Sequence, residues 1–210
     1  MFTDKERGDI LMCARAAKAS YNFERVDDYE IIEVIELKNG LDCCIYYNER
    51  TYIVAFAGTE FEINDILTDV SQFLGYVGEQ YSSLMQILDI AQNYLGEIFV
   101  TGHSLGGGLA SLFGTKNKLK TYTFNPAGIH TNTLVKYGIS RQDSKKCVTA
   151  FTVKGDLLDI VNDWSMQPLG LNVELKYSNF LLRLLNIFKT PIKRHTINEV
   201  INLLTNGGLQ

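Results

Sequence analysis

The sequence predicts an α/β fold in which a mostly parallel central sheet is flanked by helices and preceded by an antiparallel hairpin. Short apolar runs rich in strand formers alternate with segments of helical periodicity, a pattern typical of βαβ units. Near the N-terminus, two β-rich runs flank Lys38-Asn39-Gly40, whose Asn-Gly pair is a hairpin signal. In the middle of the chain, a strand passes into a helix through a glycine-rich turn at 102–106. The rest of the predicted fold is arranged around that turn.

The individual elements follow from the apolar periodicity along the chain. A first helix is predicted over residues 5–20 and is expected to cover one face of the sheet. Strands are predicted at 29–37, 41–47, 51–57, 98–100, 120–124, 147–153 and 172–177. Further helices are predicted at 81–95, from 105 onward and at 196–204. The helix at 81–95 directly precedes the strand at 98–100, as a βαβ crossover requires.

Length and composition predict one soluble globular domain over residues 1–210, with 46% hydrophobic and 21% charged residues. A net charge of −4 gives no electrostatic footprint for nucleic acid. No run of about 18 uncharged apolar residues predicts a membrane span. The first ten residues mix both charges without an apolar core, so no secretory signal is predicted. The expected location is therefore cytoplasmic, with export by a signal-free route left open.

The four cysteines are interpreted as small buried hydrophobic residues in a reducing compartment. Cys43 and Cys44 are adjacent in a predicted strand, so their side chains are expected on opposite faces of the sheet. They therefore cannot form a metal-binding pair on one face.

The turn Gly102-His103-Ser104-Leu105-Gly106 matches G-x-S-x-G, the nucleophile elbow of α/β-hydrolases. The elbow holds a serine in a strained conformation above the sheet, and the glycines on either side avoid collisions with neighbouring backbone. A Walker loop would need Gly-Lys-Ser/Thr, and a dinucleotide turn would need G-x-G-x-x-G, and neither is present. The remaining alternative is a glycine-rich helix start that packs closely on the sheet.

Two segments, at 55–70 and 100–112, resemble the class 3 lipase family in their order and motifs. The resemblance implies an α/β-hydrolase fold with oxyanion donors at Thr59 and at Leu105, the residue after the nucleophile. Read from its residues alone, Gly58-Thr59 is an ordinary strand end. The chain departs from the family pattern at Ala57, where arginine is usual, and at Ile66, where tryptophan is frequent.

For each of two further segments, one amphipathic and one apolar, both a functional and a structural interpretation remain open. The resemblance implies that residues 60–68, which precede the motif's closing Asp69, form a lid over the site, whereas their spacing fits a surface helix equally well. Residues 178–189 are strongly apolar and would form either a lipid-facing flap or a buried helix.

An aspartate just beyond a late strand is where this fold places the acid of its triad. Asp156 follows the predicted strand at 147–153, with Asp159 as a competitor three residues on and Asp163 as a weaker candidate. The family pattern fits Asp156 better. A solvated loop charge or a helix cap is the alternative for each of them. Asn125-Pro126 also follows a strand, and this pair is interpreted as a turn without assigned chemistry.

The sequence contains three histidines, and their positions narrow the search for a general base. His103 lies inside the elbow, where it commonly occupies the x position without acting as the base. His130 comes too early for the chain order Ser, Asp, His. His195 follows Asp156 and directly precedes the last predicted helix, so it is the predicted base.

These residues predict a serine hydrolase with Ser104 as nucleophile, His195 as base, Asp156 as acid and an oxyanion hole at Thr59 and Leu105. The resemblance implies that the substrates are carboxylic esters of lipids, either triacylglycerol or phospholipid, and that the enzyme acts at a membrane surface. No metal or organic cofactor is predicted. Two alternatives remain open, a short-chain esterase and a catalytically silent hydrolase fold that serves as a binding module.

Overall fold

The computed structural model describes residues 2–36, 42–58, 96–156, 158, 166–177 and 191–209. The helices among them are α1 Asp4–Ala19, α2 Ser104–Asn117, α3 Thr131–Tyr137, α4 Arg141–Ser144, α5 Pro191–His195 and α6 Ile197–Thr205. The strands are β1 Glu30–Ile35, β2 Cys43–Asn48, β3 Thr51–Phe56, β4 Glu97–His103, β5 Lys120–Phe124, β6 Ile129–His130, β7 Val148–Val153, β8 Met166–Gln167 and β9 Leu171–Leu175.

The central sheet has seven strands in the order β1-β2-β3-β4-β5-β7-β9. The first three strands pair antiparallel. From β3 to β9 every neighbouring pair is parallel. The predicted fold class, a mostly parallel sheet after an N-terminal antiparallel hairpin, is therefore confirmed. The predicted turn at 38–40 and the predicted helix at 81–95 lie outside the described residues.

The first helix begins with a capping box and covers one face of the sheet, as predicted. The Thr3 hydroxyl accepts a hydrogen bond from the Glu6 amide at 3.2 Å, and the Glu6 carboxylate accepts one from the Thr3 amide at 2.8 Å. This reciprocal pair satisfies two backbone donors that a helix start otherwise leaves unpaired. The buried side of α1 then packs on the sheet through small and apolar residues.

The sheet separates two hydrophobic cores because successive strand residues point to opposite faces. One core packs α2 against β3 and β4, and includes Phe56, Val100 and Leu109. The other packs α1 and α6 against the opposite face. Cys43 belongs to the first core and Cys44 to the second, which confirms that these adjacent cysteines face opposite ways.

Several short elements were not predicted from the sequence. They are the antiparallel β6–β8 pair, the helices α3 and α4, and α5, which carries His195 at its end. Elements of two to seven residues are too short for apolar periodicity to distinguish them from loops. Several predicted strands also begin or end one or two residues away from the observed bounds, which is common at element ends. Within the described ranges, no helix is long and apolar enough to cross a membrane.

The closeness of α2 to the sheet can be tested at Gly114. A Cβ at this position would overlap the side chain of Thr121 in β5, whereas Gly8 on α1 has nothing within 4 Å. We expect Gly114→Ala to lower the free energy of unfolding by about 1–3 kcal/mol through overpacking. The same change at Gly8 should raise it by about 0.5–1 kcal/mol, because alanine favours the helix. Urea unfolding of both variants measures the contrast, and equal stability would contradict the close packing.

Candidate active site

The turn between β4 and α2 has the backbone geometry of a nucleophile elbow. Ser104 is the first residue of α2 and has a φ of 56°, a left-handed backbone conformation that residues other than glycine rarely adopt. A Cβ on Gly102 would lie 2.8 Å from the amide nitrogen of Gly107, and one on Gly106 would lie 2.9 Å from that of Gly58. Both glycines are therefore required for backbone to approach backbone, as predicted.

The structure brings the three predicted triad residues into one hydrogen-bonded line. His195 Nε2 lies 2.9 Å from Ser104 Oγ, and His195 Nδ1 lies 2.9 Å from Asp156 Oδ2. A carboxylate oxygen accepts, so Nδ1 carries the proton, and Nε2 is left to accept from the serine hydroxyl. The three residues are only 3–7% exposed, so these bonds form away from bulk water.

Each member comes from a different part of the fold. Ser104 follows β4, Asp156 follows β7 after a Gly155 turn with a φ of 73°, and His195 ends α5. The parallel strands β4 and β7 end at the same edge of the sheet, which is where this fold class places its functional groups. The competing Asp159 and Asp163 lie outside the described residues.

Of the two predicted oxyanion donors, Leu105 lies within the described residues and Thr59 does not. Leu105 is buried in the first turn of α2, where backbone N–H groups have no intrahelical acceptor. The His103 side chain, at the N-cap position, makes no capping hydrogen bond to them. Thr59 lies outside the described residues, but Gly58 before it sits so close that an added Cβ would be 3.4 Å from the Gly106 amide. The predicted lid at 60–68, Asp69 and the apolar segment at 178–189 are also outside the described residues.

His103 is buried next to His195. None of the hydrogen bonds described for its side chain goes to the serine hydroxyl. Its Nε2 lies 2.6 Å from the carbonyl oxygen of His195, and its Nδ1 lies 3.1 Å from the hydroxyl of Tyr21. Burial, followed by the proximity of His195, lowers the pKa of His103 from 6.5 to about 3. The imidazole is therefore neutral at any ordinary pH. The third histidine, His130, caps α3 by accepting from the Asn132 amide.

Asn125 is a site residue that sequence reasoning missed. It is 1% exposed with a φ of 41°, and its side-chain amide donates to the carbonyls of Arg194 at 3.1 Å and His195 at 3.2 Å. Its side-chain oxygen accepts from the Val153 amide at 2.8 Å. The one sequence signal was an asparagine at the end of a strand next to the elbow strand. Asn-Pro is also a common turn, so that signal alone indicated no contact with the base.

The described part of the chain holds no cluster of three or more His, Cys, Asp or Glu side chains that could bind a metal ion. The chemistry available at this site is that of an activated serine beside the start of a helix. Such an arrangement suits attack on a carbonyl carbon and stabilisation of the oxyanion that forms.

Residues 25–190 match the family model of the Tle-like phospholipase domain. The chain belongs to this phospholipase-like family. A stretch of 109 residues, which is 51% of this chain, is also 37% identical to the extracellular phospholipase A1 of Serratia liquefaciens. The match spans only about a third, 34%, of the Serratia protein.

Solved structures of fungal lipases share the fold. A mutant form of MDLA from Penicillium cyclopium superimposes with a TM-score of 0.58 at 14% identity, and a fungal lipase with 0.59 at 12%, each covering 86% of this chain and 83% of the other. At such identities the likeness concerns the fold alone. Together with the family match, it confirms the predicted α/β-hydrolase fold and the resemblance to class 3 lipases. The family match also supports the predicted enzyme class, a hydrolase of lipid carboxylic esters, over a silent binding module.

The buried His103 predicts how stability depends on pH. An unfolded histidine binds a proton near pH 6.5, whereas folded His103 does so only near pH 3. Between these values the unfolded chain binds more protons, so stability falls as the pH falls, by up to about 1.4 kcal/mol per pH unit from this group. We expect His103→Gln to flatten the pH dependence of the free energy of unfolding between pH 6 and 4 by that amount.

Urea titrations at several pH values measure this slope. Tyr21→Phe is the matched control, because it removes the neighbouring hydroxyl but keeps the imidazole buried, and its slope should follow the wild type. Equal slopes in wild type and His103→Gln would show that His103 is not protected from protonation.

Proposed function

We propose that this chain hydrolyses a carboxylic ester bond of phospholipids through Ser104, His195 and Asp156, in the manner of a phospholipase A1. The observation that carries the proposal is the buried line from Asp156 Oδ2 through His195 to Ser104 Oγ, with 2.9 Å at each step. The substrate class follows from the Tle-like phospholipase family and from the name of the Serratia relative.

In the proposed reaction His195 acts first as base. Its Nε2 accepts the Ser104 proton while Oγ attacks the ester carbonyl carbon, and Asp156 stabilises the imidazolium that forms. The carbonyl oxygen becomes an oxyanion, for which the Leu105 amide and the amide and hydroxyl of Thr59 are the proposed donors. The positive end of the α2 dipole faces the same region. Each such donor contributes about 3–4 kcal/mol to lowering the barrier.

The imidazolium of His195 then returns its proton to the leaving oxygen, which releases the lysophospholipid and leaves a fatty acyl ester on Ser104. A water molecule repeats the cycle, because His195 takes its proton as it attacks the acyl carbonyl. The fatty acid departs and Ser104 regains its hydrogen. Every proton in this scheme moves through His195 Nε2.

The proposed substrate also sets where the enzyme acts. Phospholipids with long acyl chains reside in bilayers, so we propose that the chain meets them at a membrane surface. The lid at 60–68 and the apolar segment at 178–189 stay predictions for that encounter, and so does the cytoplasmic location.

The decisive experiment compares Ser104→Ala with Ser111→Ala. Ser111 lies two turns further along α2, and its hydroxyl donates to the Gly108 carbonyl at 2.7 Å. On vesicles of phosphatidylcholine with different acyl chains at the two positions, the wild type should release the sn-1 fatty acid. Ser104→Ala should lower kcat by about 10⁴- to 10⁶-fold, whereas Ser111→Ala should stay within about threefold, since substitutions outside a catalytic unit have small effects.

Fatty acid analysis by mass spectrometry and labelling by a fluorophosphonate measure these outcomes. Activity on p-nitrophenyl butyrate but not on vesicles or triacylglycerol emulsions would make the chain a short-chain esterase. A wild type that is folded, hydrolyses none of these esters and is not labelled would refute the proposed function.

The identity of the acid is tested separately by Asp156→Asn and Asp159→Asn. An asparagine at the acid position leaves the base in the wrong tautomer, so we expect Asp156→Asn to lower kcat by about 10⁴-fold. Asp159→Asn should retain kcat within about threefold, as is usual for a loop charge that takes no part in the reaction. Steady-state kinetics on a soluble ester compare the two variants, and the reverse ranking would assign the acid to Asp159.

A further inference from the structure

The carbonyl oxygen of His195 accepts hydrogen bonds from two buried side chains. His103 Nε2 lies 2.6 Å from it, and Asn125 Nδ2 lies 3.2 Å from it. His195 is the last residue of α5, where helix carbonyls lack an intrahelical partner. A carbonyl oxygen has two lone pairs, so these two donors complete its hydrogen bonding.

We propose that His103 and Asn125 are positioning residues that fix the general base by its backbone carbonyl. This inference rests on the proposed function, because it assigns a role to groups that act through His195. Both side chains are buried, and the bonds described for them to the segment that carries His195 go to its backbone carbonyls. Both come from the strand ends beside the nucleophile: His103 closes β4, and Asn125 follows β5.

The bonds of His103 have a definite direction. The His195 carbonyl can only accept, so the proton of the neutral imidazole lies on Nε2, and Nδ1 is left as an acceptor. The Tyr21 hydroxyl, 3.1 Å from Nδ1, then donates to it. The directed chain from Tyr21 through His103 to the His195 carbonyl thus fixes one tautomer of His103. Because His103 directly precedes Ser104, it ties the backbone of the base to the backbone of the nucleophile.

Asn125 connects the backbone of the base to the backbone of the strand that precedes the acid. Its amide holds the Arg194 and His195 carbonyls, and its oxygen accepts from the Val153 amide at 2.8 Å, three residues before Asp156. One buried side chain therefore sets the distance between the segment that carries the base and β7, the strand that precedes the acid. Arg194 adds a weaker link through its guanidinium, 3.5 Å from the Lys154 carbonyl.

The two hydrogen bonds at the His195 imidazole, each 2.9 Å long, need such support. A misplacement of about 1 Å in a catalytic group can cost about 100-fold in rate. The ring of His195 is held on its edges by Ser104 and Asp156, but those bonds do not fix its backbone. The two side chains that donate to the His195 carbonyl do fix the backbone, and they prevent the ring from shifting along the line between Asp156 and Ser104.

The test uses pairs of variants that keep or remove one donor. His103→Gln keeps an N–H group near the position of Nε2, whereas His103→Leu removes it at similar size. Asn125→Asp replaces the donor amide by a carboxylate oxygen that faces two carbonyls. Asn117→Asp is the matched control, because the Asn117 amide likewise donates to a carbonyl, that of Phe113 at 2.9 Å, at the far end of α2.

With p-nitrophenyl butyrate, His103→Leu and Asn125→Asp should each lower kcat by about 10- to 100-fold with KM within about twofold, as expected of misplaced catalytic groups. His103→Gln should recover most of the lost kcat, and Asn117→Asp should match the wild type. The second-order rate of fluorophosphonate labelling should fall in parallel. In a His195→Ala background, the same two substitutions should cause no further loss, since their effect passes through His195.

Urea midpoints measured beside the kinetics distinguish folding from positioning, because rates are normalised to the folded, probe-reactive fraction. An active wild type whose His103→Leu and Asn125→Asp variants keep full kcat would overturn the inference. An equal further loss in the His195→Ala background would also overturn it. A wild type that neither hydrolyses the ester nor reacts with the probe would instead refute the proposed function, so the two failures are distinguishable.

Discussion

The site depends on the close contact of backbone with backbone where β3 and β4 meet the start of α2. Gly102 and Gly106 allow this contact, and the chain between them has space only for a turn that holds Ser104 in the left-handed region. The strain at Ser104, which costs of order 1–3 kcal/mol, is maintained because the sheet and α2 are fixed on both sides by buried apolar residues. The same turn directs the free N–H groups of α2 toward the serine. The close packing of α2 on the sheet and the position of the serine hydroxyl thus depend on the same turn.

Around the turn, buried polar groups are paired with one another rather than with water. His103, Asn125 and Asp156 each bond to the backbone or side chain of His195, and Tyr21 bonds to His103 behind it. A low dielectric strengthens such bonds and makes any unpaired member costly, so the network has few alternative arrangements. This explains how a short helix of five residues can hold His195, the proposed base, in a fixed position.

The fold, and the three residues that the structure brings into one hydrogen-bonded line, could be predicted from the sequence for physical reasons. The buried strands are short runs of apolar strand formers, α1 carries apolar residues at helical spacing, and an elbow needs glycines at fixed spacing, so each leaves a local pattern. The prediction of Asp156 and His195 depended instead on the chain order Ser, Asp, His of this fold. Asn125 and His103 were interpreted as a turn former and as a bystander, because their role lies in contacts with residues about 70 and 90 positions away. Such contacts become visible only when β4, β5 and β7 are seen as neighbours. The bounds of α5 could not be predicted from the sequence either, because a helix of five residues is too short to show apolar periodicity.

The packing of α6 against α1 has a consequence for how the proposed triad is assembled. Val200 and Leu203 of α6 share a core with Ile10 and Ala17 of α1, so the segment that carries His195 docks on the first helix of the chain. A nascent chain that has completed β4 and α2 already contains the serine, but it lacks the proposed base until α5 and α6 dock. The proposed hydrolysis therefore requires this long-range contact, and local detachment of α5 and α6 would leave Ser104 without its proposed base while the central sheet stays intact.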